Sequence, residues 1–359
     1  MTDILEVREI SKDENNVLAN MVGMDHEQVL FCQDRATGLK AIIAVHNTVL
    51  GPALGGTRMW NYANEEDAIT DVLRLSRGMT YKNSISGLNL GGGKAVIIGD
   101  SYTQKNEALF RRFGKFVESL SGKYITAEDV GISPQDMVWV NKETNHVAGL
   151  PGKSGDPSPV TAYGVYVGMK ACAKAQFGTD SLNGIKVAVQ GAGHVGQYLI
   201  KHLTDEGAKV FVTDIHEPSL KEVSEKYGST IVGLDEIYDL DMDVYAPCAL
   251  GATVNDATLE RLKCSIIAGA ANNQLEQEVI HGKAVMDRGI IYAPDFMLNA
   301  GGVINCFAEV DGKSAEWAME KAAQIYDTTT EIINGSKANN TPTYAIANKM
   351  AEDRIKGAL

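Results

Sequence analysis

Two sets of residues in this 359-residue chain have types and spacings that could do chemistry. In the rear half, Gly191-Ala192-Gly193-His194-Val195-Gly196-Gln197 contains G-x-G-x-x-G. Glycines at that spacing are a weak signal alone, but here they close an apolar run at 186–190 and open a helical pattern at 194–206. In that setting Gly191 permits a tight turn, Gly193 lets the backbone approach a pyrophosphate, and Gly196 lets helix and strand pack closely. The helix N-terminus adds unpaired N–H groups and the positive end of a dipole. Twenty-three residues after Gly191, Asp214 ends the next apolar run, Val210-Phe-Val-Thr-Asp214, where its carboxylate would accept hydrogen bonds from ribose hydroxyls. It would also repel an added 2′-phosphate, and no arginine follows to compensate. NAD is therefore expected over NADP. FAD is the other dinucleotide open at this point, although many flavin folds begin with the fingerprint rather than carry it mid-chain.

The front half holds two more glycine-rich segments, Gly51-Pro-Ala-Leu-Gly-Gly56 and Gly87-Leu-Asn-Leu-Gly-Gly-Gly-Lys94. The latter is close to a phosphate-binding P-loop, yet Leu88 stands where the first glycine belongs and Ala95 where Ser or Thr must follow the lysine. What remains is Lys94 on a crowded glycine loop, Lys82 at the end of a helical pattern, and Asp129 just after the apolar run at 124–127. Each alone is more often a surface charge than a catalyst, and Lys82 would sit well at a helix C-terminus for dipole reasons. If the fold holds the two lysines close, mutual repulsion would favour one neutral amine, a usable proton acceptor near neutral pH.

The elements that must position these groups alternate between strand and helix. Runs at 28–32 and 39–46 read as paired strands around a turn. Asn64-Glu-Glu-Asp is a cap with an acidic first turn, followed by Ile69, Val72, Leu73, Ser76 and Met79 at helical spacing. A strand at 95–98, a helix at 105–120 and a strand at 124–127 complete an α/β domain expected over 1–148. Three prolines and three glycines in residues 149–159 mark a linker or hinge. Beyond it lie a helix at 161–177 and β-branched runs at 186–190, 210–213, 243–246, 265–268 and 290–293 joined by helices. These predict a Rossmann-type doubly wound parallel sheet over 149–339. The closing helices, 340–359, are expected to pack back on the first domain.

Composition narrows the function classes. The chain is 44% hydrophobic and 22% charged, ordinary for a globular protein and unlike a disordered one. With 33 basic against 46 acidic residues the net charge is −13, which repels nucleic acid, and no basic patch offsets it. Five cysteines without Cys-x-x-Cys spacing, and histidines without a His-Glu-x-x-His pair, predict neither a disulfide framework nor a metal site. The polar, acidic residues 1–16 do not resemble a signal or transit peptide, and no apolar run approaches the roughly 18 residues of a membrane span. A cytoplasmic location is expected.

Several longer motifs, in order, resemble one family. They are Gly51-Pro-Ala-Leu-Gly-Gly-Thr-Arg-Met, Gly78-Met-Thr-Tyr-Lys82-Asn, Gly91-Gly-Gly-Lys94, Tyr124-Ile-Thr-Ala-Glu-Asp129-Val-Gly, Ala246-Pro-Cys-Ala-Leu-Gly, Ala270-Ala-Asn-Asn-Gln-Leu and Asn299-Ala-Gly-Gly-Val-Ile-Asn305. The resemblance, from about His26 to about Arg354, is to the glutamate/leucine/phenylalanine/valine dehydrogenases, nearest their leucine type. It implies oxidative deamination of an L-amino acid to a 2-oxo acid and ammonia. Lys82 would bind the substrate carboxylate, Lys94 would be the catalytic lysine and Asp129 the proton-transfer carboxylate. Thr161, Asn272 and Asn273 would contact cofactor or substrate, although capping or turn roles also suit the asparagines. The family's side-chain pocket falls on Leu54, Gly55, Met79, Ala127, Val303 and Cys306. Cys306 stands where leucine-type members usually carry valine, which bears on substrate breadth. The resemblance further implies a closed homo-oligomer, a dimer or an octamer, and closure of a cleft with residues 149–159 near the hinge. Other readings open at this point are an aromatic amino-acid dehydrogenase, a non-catalytic NAD-binding regulator and an FAD oxidase.

Overall fold

The front apolar runs pair as antiparallel β1 (Gln28–Asp34) and β2 (Leu39–Asn47), preceded by the short helix α1 (Val17–Gly23). The computed structural model describes residues 17–153 and 155–359, so the expectation for residues 1–16 lies outside the described residues. The chain divides into two compact units, one reaching to Gly155 and including Gly357–Leu359, the other spanning Asp156–Lys356.

In the first unit β3 (Ala53–Trp60), α2 (Glu65–Ile85), β4 (Gly91–Ile98), α3 (Glu107–Glu118), β5 (Tyr124–Glu128) and α4 (Pro134–Asn141) follow. The strands form one sheet in the order β1-β2-β4-β3-β5, with β3 parallel to both β4 and β5. One face carries α2, where Ala68, Val72 and Leu73 bury against Ile42, Ala44 and Val96. The other carries α3 and α4, whose Leu109, Phe110, Phe113, Met137 and Val140 meet Ile43, Met59, Ile97 and Tyr124. Alternate residues of β2 and β4 thus enter opposite cores, as the period of a strand demands. The α2 cap is as the sequence predicts, with the Asn64 side chain accepting from the Asp67 N–H at 2.8 Å.

The second unit opens with α5 (Ser158–Phe177) and alternates β6 (Lys186–Gln190), α6 (His194–Asp205), β7 (Lys209–Thr213), α7 (Glu217–Tyr227) and β8 (Thr230–Ile231). It continues through β9 (Val244–Pro247), α8 (Asp256–Arg261), β10 (Ile266–Ile267), α9 (Glu278–Asp287) and β11 (Ile291–Tyr292). Five helices close it: α10 (Asp295–Leu298), α11 (Gly301–Val310), α12 (Ala315–Ala323), α13 (Ile325–Asn339) and α14 (Thr343–Lys356). All six strands are parallel, in the order β11-β10-β9-β6-β7-β8, the doubly wound arrangement with its crossover point between β6 and β9.

Of the closing residues expected to pack back on the first domain, the helix α14 packs on α13, α9 and β11 of the second unit. Asn340, left-handed at φ +49°, ends α13 and turns the chain, and Thr343 Oγ1 then donates to the Tyr292 carbonyl at 2.7 Å. The apolar side of α14, Ile346, Ala347 and Ala351, is buried there.

Candidate active site

Lys94 stands inside β4, correcting its expected place on a loop. It is buried, and its Nζ lies 2.5 Å from Asp129 Oδ2, just beyond the end of β5. Between β4 and β5 runs β3, in which Gly56 pairs with Ala127. A Cβ at Gly56 would stand 2.9 Å from the Asp129 Cβ and 2.5 Å from the Glu128 carbonyl oxygen. Only a glycine fits there, so its role is clearance for the neighbouring strand rather than phosphate binding. Arg58, two residues on in β3, brings Nε within 3.4 Å of the same Asp129 oxygen. Burial raises the Asp129 pKa, but the charges of Lys94 and Arg58 outweigh it and hold the carboxyl below its ordinary range.

Helix α2 crosses this face and carries Met79 and, in its last turn, Lys82. Its approach depends on Gly92, where a Cβ would come within 2.1 Å of the Thr80 nitrogen. Asn83 Nδ2 donates to the Gly91 carbonyl at 2.5 Å, and His46 Nδ1 meets Thr80 Oγ1 at 2.8 Å. The helix is thereby fixed to β2 and β4 on both sides of Lys82's turn. Leu54, Gly55 and Ala127 are buried, and a Cβ on Gly55 would meet Met79 Cγ at 3.2 Å. Four expected pocket residues of this unit are thus placed on β3, β5 and α2. A carboxylate, Asp129, faces Lys94.

In the second unit the turn after β6 has the form its sequence predicts. Gly191 has φ +115°, a conformation that favours glycine, and its N–H donates to the Thr213 carbonyl at 2.8 Å. A Cβ on Gly196 would strike the Gly191 carbonyl oxygen at 2.1 Å, whereas one on Gly193 would meet nothing within 4 Å. Space is open where a pyrophosphate would lie. The N-terminus of α6, with His194, Val195 and Gly196 in its first turn, has no side-chain cap. Gln197 staples the turn, its Nε2 donating to the Ala192 carbonyl at 3.0 Å. Asp214 follows β7 and is oriented by two backbone donors, Ala192 N–H at 2.6 Å and His216 N–H at 2.8 Å. Open space, an uncapped helix end and an oriented carboxylate fit NAD.

The remaining expected contacts lie near the ends of β10 and β11. Asn272 and Asn273 are exposed, with Asn273 left-handed at φ +51°. Asn299 Nδ2 donates to Asn272 Oδ1 at 2.7 Å and to the Ala270 carbonyl at 3.0 Å. Thr161 is buried in the first turn of α5, its hydroxyl donating to the Pro157 carbonyl at 3.0 Å. Val303 is buried and Cys306 half-buried, one turn apart on α11.

Comparison with known proteins decides the family. Residues 26–146 match the Glu/Leu/Phe/Val dehydrogenase dimerisation domain, and residues 152–216 and 213–358 match the Glutamate/Leucine/Phenylalanine/Valine dehydrogenase family. The chain belongs to this family. It is an NAD-dependent amino-acid dehydrogenase. Leucine dehydrogenase of Thermoactinomyces intermedius is 56% identical over 335 residues, covering 92% of this chain and 91% of that one. Leucine dehydrogenase of Bacillus subtilis (strain 168) is also 56% identical over 335 residues, covering 92% of each chain. The crystal structure of L-tryptophan dehydrogenase from Nostoc punctiforme superposes with a TM-score of 0.86 at 44% identity, covering 95% of this chain and 99% of that one.

Within this dehydrogenase, sequence reasoning passed over Arg58 and Asn299 as site residues. Arg58 had a signal, a lone cation inside a strand of buried residues, but glycines hid the strand itself. Asn299 is polar at the start of an apolar helical run, and only the folded turn shows that it holds Asn272. Among the described residues no group of acidic, His or Cys side chains could hold a metal, and no helix is long and apolar enough to cross a membrane. All five thiols are free, and burial pushes Cys248, beside the Gly191 turn, up to about 12.

Proposed function

We propose that this chain catalyses reversible, NAD-dependent oxidative deamination of branched-chain aliphatic L-amino acids, leucine with valine and isoleucine, to 2-oxo acids and ammonia. The observation that carries the reading is the ion pair of buried Lys94 with half-buried Asp129, in the unit whose β3, β5 and α2 carry Leu54, Gly55, Ala127 and Met79. It supplies proton transfer next to an apolar floor.

Lys82 binds the substrate carboxylate through a charge-assisted hydrogen bond and thereby orients Cα. Bound NAD supplies the two-electron acceptor. Gly191 to Gln197, Asp214, Thr161, Asn272 and Asn273 are the residues that hold it. As the Cα–H bond breaks, the substrate amine becomes an imine. Asp129 takes the proton of the water that adds to it, and Lys94 stabilises the oxygen charge of the resulting carbinolamine. Asp129 returns the proton to the departing nitrogen, and as the C–N bond breaks the carbinolamine hydroxyl gives its proton to the freed carboxylate, so ammonia and the 2-oxo acid leave.

The aliphatic preference follows from the first unit's Leu54, Gly55, Met79 and Ala127, and from higher identity to the leucine than to the tryptophan dehydrogenases, 56% against 47%. A methylene in such a pocket is worth about 1–3 kcal/mol, so leucine, valine and isoleucine all turn over. The chain works as a homo-oligomer, in keeping with the dimerisation domain it matches. A panel of leucine, valine, isoleucine, phenylalanine and tryptophan with NAD and with NADP, read by absorbance of the reduced cofactor, tests the assignment. The aliphatic acids with NAD should lead in kcat/KM; a lead for phenylalanine or tryptophan transfers the protein to the aromatic class.

A further inference from the structure

The candidate proton-transfer pair does not stand alone. It is the inner end of a chain of alternating charge that runs along the α2 face of the sheet. Lys94 and Arg58 share one oxygen, Asp129 Oδ2, at 2.5 and 3.4 Å. Arg58 Nη1 then donates to Asp71 Oδ2 at 2.9 Å, and the Tyr62 hydroxyl donates to that same oxygen at 2.6 Å. Asp71 comes from α2 and Tyr62 from the segment leading into it, so the far side of the guanidinium is anchored on a different element from its near side.

We propose that Arg58 is a positioning residue for the proton-transfer site, fixing the Asp129 carboxylate and setting the pH range in which the Lys94–Asp129 pair works. Three properties suit it to that task. A guanidinium does not give up its proton in a protein, so beside Asp129 it contributes charge without joining the proton traffic, which leaves Lys94 as the exchanging neighbour. Its planar fork is held by Asp71 and Tyr62, so the Nε edge stays turned to Asp129 rather than swinging to solvent. It also arises from β3, the strand between β4 and β5, so the sheet itself sets its distance from both members of the pair.

Lys94 faces Asp129 from β4 and Arg58 from β3, Asp71 and Tyr62 stand one step behind Arg58, and the Tyr124 hydroxyl lies on β5. Removing the Arg58 charge takes a cation from the pair, so the pair reaches its working ionisation only at higher pH. Removing the Asp71 charge takes away the anion that offsets Arg58, so the shift has the opposite sign.

The proposal rests on the reading that Asp129 transfers the proton in amino-acid deamination. The test is the pH profile of kcat/KM for leucine at saturating NAD. In Arg58→Met the acid limb moves up by about 1–3 pH units. Arg58→Lys, which keeps the charge, returns it most of the way. In Asp71→Asn the limb moves down, and this variant, retaining both Arg58 and Asp129, decides the matter should Arg58→Met fail to fold. A merely structural Arg58 would lower stability and kcat with the limb in place, and that result overturns the proposal, as does an upward or absent shift in Asp71→Asn. Asp129→Asn keeps the two levels apart. If it is inactive while the Arg58 variants leave the limb unmoved, only the positioning role falls; if it stays active, the reading of Asp129 itself falls.

Discussion

Lys94 and Asp129 meet at 2.5 Å although the strands that present them are not neighbours, and the strand between them carries no side chain at Gly56. β4 and β5 stand two strand spacings apart, about 9.6 Å in the sheet plane, and the lysine and aspartate side chains close that gap only if nothing stands between them. The glycines of β3 and β4 are therefore part of the geometry of the proposed proton-transfer pair.

Gly56→Ala tests that statement. The new methyl would lie 2.5 Å from the Glu128 carbonyl oxygen, which belongs to backbone and cannot turn aside. Overpacking of this kind costs about 1–3 kcal/mol, measurable as a lower urea midpoint with an unchanged slope. Displacement of Asp129 should lower kcat more than it raises KM for the amino acid, since substrate contacts at Lys82 remain.

In the proposed cofactor site Asp214 is the residue that sets the choice between NAD and NADP. Its carboxylate accepts from Ala192 N–H and His216 N–H, which hold it at the end of β7. Asp214→Ala removes both the ribose acceptor and the charge that repels a 2′-phosphate. The ratio of kcat/KM for NAD over NADP should fall at least about tenfold, equivalent to roughly 1.4 kcal/mol. An unchanged ratio would mean that discrimination lies elsewhere.

Acid should weaken the fold before carboxylates begin to titrate. His26 and His46 form an edge-to-face pair with ring centroids 4.7 Å apart, bonded to Ser76, Thr80, Met24 and Leu73. Burial holds them neutral, at about 4 for His26 and about 3 for His46, with each lowered further by nearby positive charge. The unfolded chain takes up protons near pH 6.5 while the folded one does not, so this stability is full above pH 6.5 and declines as pH falls towards those lower values. About 2 kcal/mol should be lost between pH 7 and pH 5.5. His26→Asn should make the slope of unfolding free energy against pH shallower.

Much of the architecture was legible because the patterns were local. The Asn64 cap, the apolar spacing of α2 and the β-branched runs of the second unit each need only a few neighbouring residues to be read. The turn from Gly191 to Gly196 was legible for the same reason, since each glycine has its own steric duty. β3 was hidden because Leu54-Gly55-Gly56 has the composition of a turn. It is a strand because β4 and β5 pair with it on both sides and the glycines make room for Met79, Gly93 and Glu128. With β3 unseen, Lys94 was placed on a loop and Arg58 had no element to stand on. The destination of α14 was likewise not local, since an apolar helix side does not say which core will bury it.

The proposed mechanism makes turnover depend most on the Lys94–Asp129 pair. The direct measurement is kcat for leucine deamination in Lys94→Ala and Asp129→Asn, with NAD binding followed by protein fluorescence in the same samples. Loss of a positioned proton-transfer group lowers the rate by about 10²–10⁴. Each variant should therefore lose at least a hundredfold in kcat while binding NAD as the parent does. Turnover within a few-fold of the parent in either variant, with the cofactor bound, would contradict the role given to the pair.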